Sequence, residues 1–100
     1  SPSKIENLLC LNEKIKQSFV YGDKKTYLVA LIVTESEKNI KEIELYVENL
    51  NKSLSLVEKV KKFKLIREEF TIENGMMTPT LKLKRKKILD KYKQVLEKLY

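Results

Sequence analysis

A chain of 100 residues, 42% apolar and 35% charged, is long enough for one globular domain with a modest core. With no histidine and a single cysteine, it excludes a Ser–His–Asp or Cys–His nucleophile and an internal disulfide, and leaves a zinc site almost no ligands. The net charge of +7 is uneven: residues 76–100 carry eight basic and two acidic side chains, so the C-terminal section points to an anionic partner.

Ser1-Pro2 opens a helix, with Ser1 as N-cap and Pro2 in the first turn, where its missing N–H costs nothing. Ser3 and Glu6 offer a capping box one register later. Ile5, Leu8 and Leu9 share a face of this helix. Cys10, between Leu9 and Leu11, is expected in the core. Its lack of a pairing partner suits a reducing compartment.

Lys14 to Tyr21 reads as a half-buried strand, with Ile15, Gln17, Phe19 and Tyr21 on one face. Gly22-Asp23-Lys24-Lys25 is the turn. Tyr27 to Val33 is apolar almost throughout, which suits a central strand covered on both sides. Together these runs predict a hairpin. Ile40, Ile43, Tyr46, Val47 and Leu50 recur at helical spacing and predict an amphipathic helix. Ser55 and Glu58 then read as the capping box of a second, shorter helix with Leu54, Val57 and Val60 as its stripe. Phe63 to Ile66 reads as a third strand.

Asn74-Gly75 is a turn signal, since both residues tolerate positive φ. Thr78-Pro79-Thr80 follows as a loop. Five of the next six residues from position 82 are basic: Lys82, Lys84, Arg85, Lys86 and Lys87. A helix runs from about Arg85 to Leu99, striped by Ile88, Leu89, Tyr92, Val95, Leu96 and Leu99. The sum is an α+β fold, a small sheet of about three strands covered by helices, in one domain spanning 1–100. Where the threonine loop meets the helix start, free N–H groups, hydroxyls and ammonium groups could converge on a phosphate or carboxylate. Basic charge at a helix start opposes the macrodipole, which favours a functional purpose for it.

Phe70-Thr-Ile-Glu-Asn-Gly-Met-Met-Thr-Pro-Thr-Leu-Lys-Leu-Lys-Arg85 resembles the C-terminal motif of the long-chain acyl-CoA synthetases, members of the adenylate-forming superfamily. Ser1-Pro-Ser-Lys-Ile-Glu6, Val20-Tyr-Gly-Asp23 with Tyr27 to Val33, and Leu89-Asp-Lys-Tyr-Lys with Leu96 to Tyr100 resemble other family segments in the same order. The resemblance implies a C-terminal cap domain, a fragment of a larger enzyme and inactive alone. The cap closes over an N-terminal adenylation domain that binds ATP and the long-chain fatty acid. It supplies a lysine for acyl-adenylate formation, then turns so that coenzyme A forms the thioester. Mg²⁺ accompanies ATP, and no ligand is expected on the fragment itself. Laid on the family pattern Thr-x-Ser-Gly-Lys-aliphatic-x-Arg, Thr78, Thr80, Lys82 and Arg85 take the polar positions, and Leu81 stands where Gly is usual. Lys82 is the implied catalytic residue and Lys84 the alternative, with Thr78, Thr80 and Arg85 supporting the loop. The resemblance implies a cytoplasmic parent and leaves a peripheral membrane contact open. Two other readings compete: a basic nucleic-acid-binding module, and a membrane-surface helix at 85–99.

Overall fold

The computed structural model describes residues 1–100, in the order α1 (Pro2–Leu9), β1 (Gln17–Tyr21), β2 (Leu28–Val33), α2 (Ile40–Lys52), β3 (Val60–Ile66) and α3 (Arg85–Glu97). A single 3₁₀ turn, Glu37–Asn39, leads into α2. The three strands form one sheet in the order β1-β2-β3. β1 and β2 are antiparallel, with Gln17 opposite Val33 and Tyr21 opposite Val29. β2 and β3 are parallel, which requires the crossover that α2 supplies. The sequence predicts the strands but not this parallel pairing.

β2 is the centre of the molecule, as its apolar run predicts. Ala30 and Ile32 face one core with Ile5, Leu9, Ile15, Val20, Ile43 and Val47. Val29, Leu31 and Val33 face the other with Phe19, Phe70, Met76, Ile88 and Leu96. The domain is therefore three layers: α1 and α2, then the sheet, then α3 with the segment that precedes it. The α2 and α3 stripes lie where their spacing puts them.

Several expectations need correction. β1 is buried on both faces rather than one, since Ser18, Phe19 and Val20 are all buried. The Ser18 hydroxyl donates to the Glu6 carbonyl at 3.1 Å. Ile15 lies before the strand and joins the opposite core from Phe19. Cys10 is exposed rather than core. Its sulfur turns to Ser18 Oγ at 3.5 Å, and partial cover of that thiol pushes it up from the ordinary range.

The second helix does not form. Residues 53–59 are turns, and Ser55 and Glu58 satisfy each other without nucleating a helix. The Ser55 N–H and Oγ both donate to Glu58 Oε1, at 3.3 and 3.0 Å. A capping box needs the hydroxyl to accept from the helix, and here it donates.

Two amide side chains stand in for missing strand neighbours. Asn51 donates to the Val60 carbonyl at 2.8 Å and accepts from the Val60 N–H at 3.0 Å. Gln17 holds Phe70 the same way, at 2.9 and 2.7 Å. Each satisfies two backbone groups that would otherwise be partly buried and unpaired. Asn51→Ala is expected to cost about 1–3 kcal/mol, read as a lower urea midpoint at unchanged slope. An unchanged midpoint would show that water replaces the amide at no cost.

Candidate functional site

Residues 71–84 form two linked turns that carry the candidate residues. The first is built by Thr71 and Asn74, which accept from each other's backbone N–H through their side-chain oxygens at 3.0 Å. Gly75 follows at φ +79°, the left-handed region that a side chain disfavours. Asn74 itself is not left-handed, so only half of the predicted pair uses positive φ.

The second turn is a tight hairpin rather than an open loop. Met77 pairs antiparallel with Leu83, and the Lys84 N–H donates to the Met76 carbonyl at 2.8 Å. Within it, the Thr78 N–H donates to the Lys82 carbonyl and the Leu81 N–H to the Thr78 carbonyl, both at 2.8 Å. Leu81 sits at φ +65°. This is the arrangement of a three-residue hairpin loop, a β-turn followed by one left-handed residue. The left-handed position is where the family pattern has Gly, so the backbone keeps the glycine's conformation with a leucine in it. Left-handed backbone costs a non-glycine residue about 1–2 kcal/mol. Leu81 recovers little by burial, being 67% exposed. Leu81→Gly is expected to raise the melting temperature slightly, the relief being partly offset by glycine's chain entropy. Leu81→Val is expected to lower it, because β-branching fits positive φ worse. The reverse ranking would show that the leucine side chain stabilises the turn.

Both threonine hydroxyls are committed inside the loop. Thr78 Oγ1 accepts from the Lys82 N–H at 3.0 Å and lies 3.0 Å from Thr80 Oγ1. The two hydroxyls and the Lys82 N–H thus bond to one another within the loop. What the hairpin presents outward is the Lys82 side chain, which is exposed and has no hydrogen-bond or ion-pair partner.

Lys82 lines an open groove of about 570 Å³ between the hairpin, α1 and β1, together with Arg85, Glu6, Lys16 and Met77. Lys84 is not on that groove; it is the N-cap residue of α3. Lys86 and Lys87 are exposed in the first turn of α3, against the helix dipole as the sequence predicts. Met76 is buried in the α3-side core.

Arg85 follows the hairpin as the first residue of α3 and lines the same groove. Its guanidinium grips Glu6 with two bonds, Nη2 to Oε1 at 2.5 Å and Nη1 to Oε2 at 2.9 Å. It also lies over the Phe19 ring, 5.6 Å from the centroid. Glu6 Oε2 further accepts the Val20 N–H at 2.7 Å. One buried carboxylate thus joins α1, β1 and the first residue of α3. Sequence reading assigns Glu6 to a helix cap and misses this. The available signal is its place beside Ile5 on a buried helix face, where a lone charge needs a partner.

This is the architecture of a small cap domain from an adenylate-forming enzyme. Residues 1–100 match the AMP-binding enzyme C-terminal domain, and the chain belongs to that family. It is 29% identical to a long-chain-fatty-acid–CoA ligase of Mycobacterium tuberculosis, aligning over 100% of this chain and 21% of the relative. It is 31% identical to long-chain-fatty-acid–CoA ligase 6 of Rattus norvegicus, over 100% of this chain and 18% of that protein. The chain therefore spans about a fifth of the length of these relatives. Among solved structures, the A-PCP didomain of a carboxylic acid reductase from Segniliparus rugosus in complex with AMP superposes at a TM-score of 0.85. It shares 27% identity and covers all of this chain and 16% of that one.

Proposed function

We propose that this domain is the mobile cap of an ATP-dependent long-chain fatty acid–CoA ligase and that Lys82 is its catalytic lysine for adenylation. The observation that supports the assignment of the lysine is the hairpin itself: Lys82 is unpaired and outward on the groove, whereas Lys84, also exposed and unpaired, lies off it at the start of α3. In the first step the fatty carboxylate attacks the α-phosphorus of ATP; the new C–O–P linkage forms as pyrophosphate leaves. The Lys82 ammonium holds carboxylate and phosphate together and offsets the negative charge that gathers between them. In the second step the cap rotates, and the coenzyme A sulfur attacks the acyl carbon and expels AMP. Nowhere do three or more His, Cys, Asp or Glu side chains cluster in this chain, so it offers no cage for Mg²⁺. The ion that accompanies ATP would be held by the nucleotide and the preceding domain.

The likeness to the reductase didomain supports a second reading, in which the adenylate passes to a carrier-protein thiol instead of coenzyme A. One experiment tests both. The full-length protein is expected to show fatty-acid-dependent ATP–pyrophosphate exchange and, with coenzyme A added, acyl-CoA release. Exchange without acyl-CoA would favour the carrier. A folded protein with no exchange across several chain lengths would remove the adenylation reading.

A further inference from the structure

We propose that the end of the molecule where β3 begins is a docking surface for an anionic lipid bilayer. Two observations meet there. Leu56 and Val57 are adjacent, and they are 76% and 79% exposed. They are followed at once by Lys59, Lys61 and Lys62, three cations in four residues with no acid among them, and Lys64 and Arg67 continue the run toward the far end of β3. None of the five makes an ion pair, although five other cations of the chain do.

The apolar tip is held out by a pinned loop. Asn51 clamps its far end at Val60, and Ser53 Oγ donates to the Leu50 carbonyl at 2.8 Å. Leu54 turns back onto the core. Glu58 is held by Ser55 and paired with Lys4 at 3.3 Å, so the one acid in the loop is already neutralised. The parallel register sets Leu28 beside Val60, which brings the β1–β2 turn, with exposed Lys24, to the same end. Lys61 Nζ lies over the face of the half-buried Tyr27 ring, 5.5 Å from its centroid.

Lysines on β3 have a simple structural use, since charge on an edge strand prevents pairing with another chain. That use does not explain an exposed Leu-Val pair beside them, which works against it. An aliphatic tip followed by cations matches an anionic bilayer on both counts: the tip enters the acyl boundary while the ammonium groups reach the lipid phosphates. A single-stranded nucleic acid would instead be met by free aromatic planes for base stacking; Leu56 and Val57 provide none, and the nearby Tyr27 ring is half-buried against Tyr100 with Lys61 over it. This surface replaces the helix 85–99 as the membrane-facing element, because the α3 stripe is spent on the core. It is also independent of the adenylation chemistry.

The test is co-sedimentation of the 100-residue chain with vesicles of phosphatidylcholine alone or mixed with phosphatidylserine, with circular dichroism to confirm folding. Binding is expected only with phosphatidylserine. The double variant Leu56→Ser, Val57→Ser is expected to weaken it about tenfold. Lys61→Glu with Lys62→Glu is expected to weaken it about 100-fold or more. Lys86→Glu with Lys87→Glu makes the same charge change on α3, where Lys86 borders the β1 edge rather than the β3 edge, and is expected to cost far less. Wild-type binding by the Leu56/Val57 variant would overturn the proposal. So would equal losses in the two lysine variants, which would mean attraction by net charge alone. No binding by the folded chain, or a preference for single-stranded DNA that ignores the tip variant, would overturn it as well.

Discussion

In the full-length enzyme, Lys82→Ala is expected to lower fatty-acid-dependent ATP–pyrophosphate exchange by about 10²–10³-fold. Thioester formation from supplied acyl-adenylate and coenzyme A should stay near wild type. The asymmetry follows from the proposed role. The ammonium stabilises charge that develops between carboxylate and α-phosphate, and that charge exists only in the first step. Lys82 is exposed and holds nothing else in place, so the substitution should leave stability within about 0.5 kcal/mol, and lost exchange cannot be ascribed to misfolding. Lys82→Arg keeps the charge but replaces a compact ammonium with a wide planar fork, and is expected to rescue poorly. Lys84→Ala should exchange like wild type, apart from a small change at the α3 start. Collapse in Lys84→Ala alone would keep the chemistry and move the site two residues along. Equal loss of both half-reactions in Lys82→Ala would make it a general binding residue.

What could be read from the sequence divides along a physical line. β2, α2 and α3 were legible because each is set by a local period of apolar residues, and the layers they pack between are the ones those periods demand. The turn at Gly75 was legible because its chemistry is local too. The helix expected around Ser55 failed for a complementary reason: Ser55 and Glu58 bond to each other without capping, and of the expected stripe Leu54 and Val60 reach the core while Val57 stays exposed. A capping pair stabilises a helix that packing already favours, and does not create one. The parallel register of β3 and the double burial of β1 depend on partners dozens of residues away. In the candidate site, the position of Lys82 followed from a motif, whereas the strained backbone at Leu81 and the commitment of both threonine hydroxyls became visible only with coordinates.

The Glu6–Arg85 pair spans 79 residues of sequence, and breaking it is expected to have a large effect on stability. The Glu6 side chain is 9% exposed and that of Arg85 40%. Removing one member of a fully buried pair costs about 3–5 kcal/mol. Because Arg85 can turn partly to solvent, Glu6→Ala should cost less, about 2–3 kcal/mol, much of it from the stranded Val20 N–H. For a domain of this size that is a fall of about 10–20 °C in melting temperature. Arg85→Met is expected to destabilise too, by leaving the carboxylate buried without its partner. The double variant should lose less than the two separate losses together, with a coupling of about 1–3 kcal/mol. The consequence reaches the groove, since Arg85 is the first residue of α3 and Lys84, just before it, closes the hairpin onto Met76. With Glu6 gone, the guanidinium has no ion-pair partner on α1, and any effect on the Lys82 hairpin would pass through the start of α3. Glu6→Gln separates the two contributions: it keeps an acceptor for Val20 but gives up the charge and one bond to Arg85. If Glu6→Gln restores the melting temperature but not the exchange rate, the pair positions Lys82. If Glu6→Ala melts like wild type, the carboxylate neither anchors the sheet nor supports the hairpin.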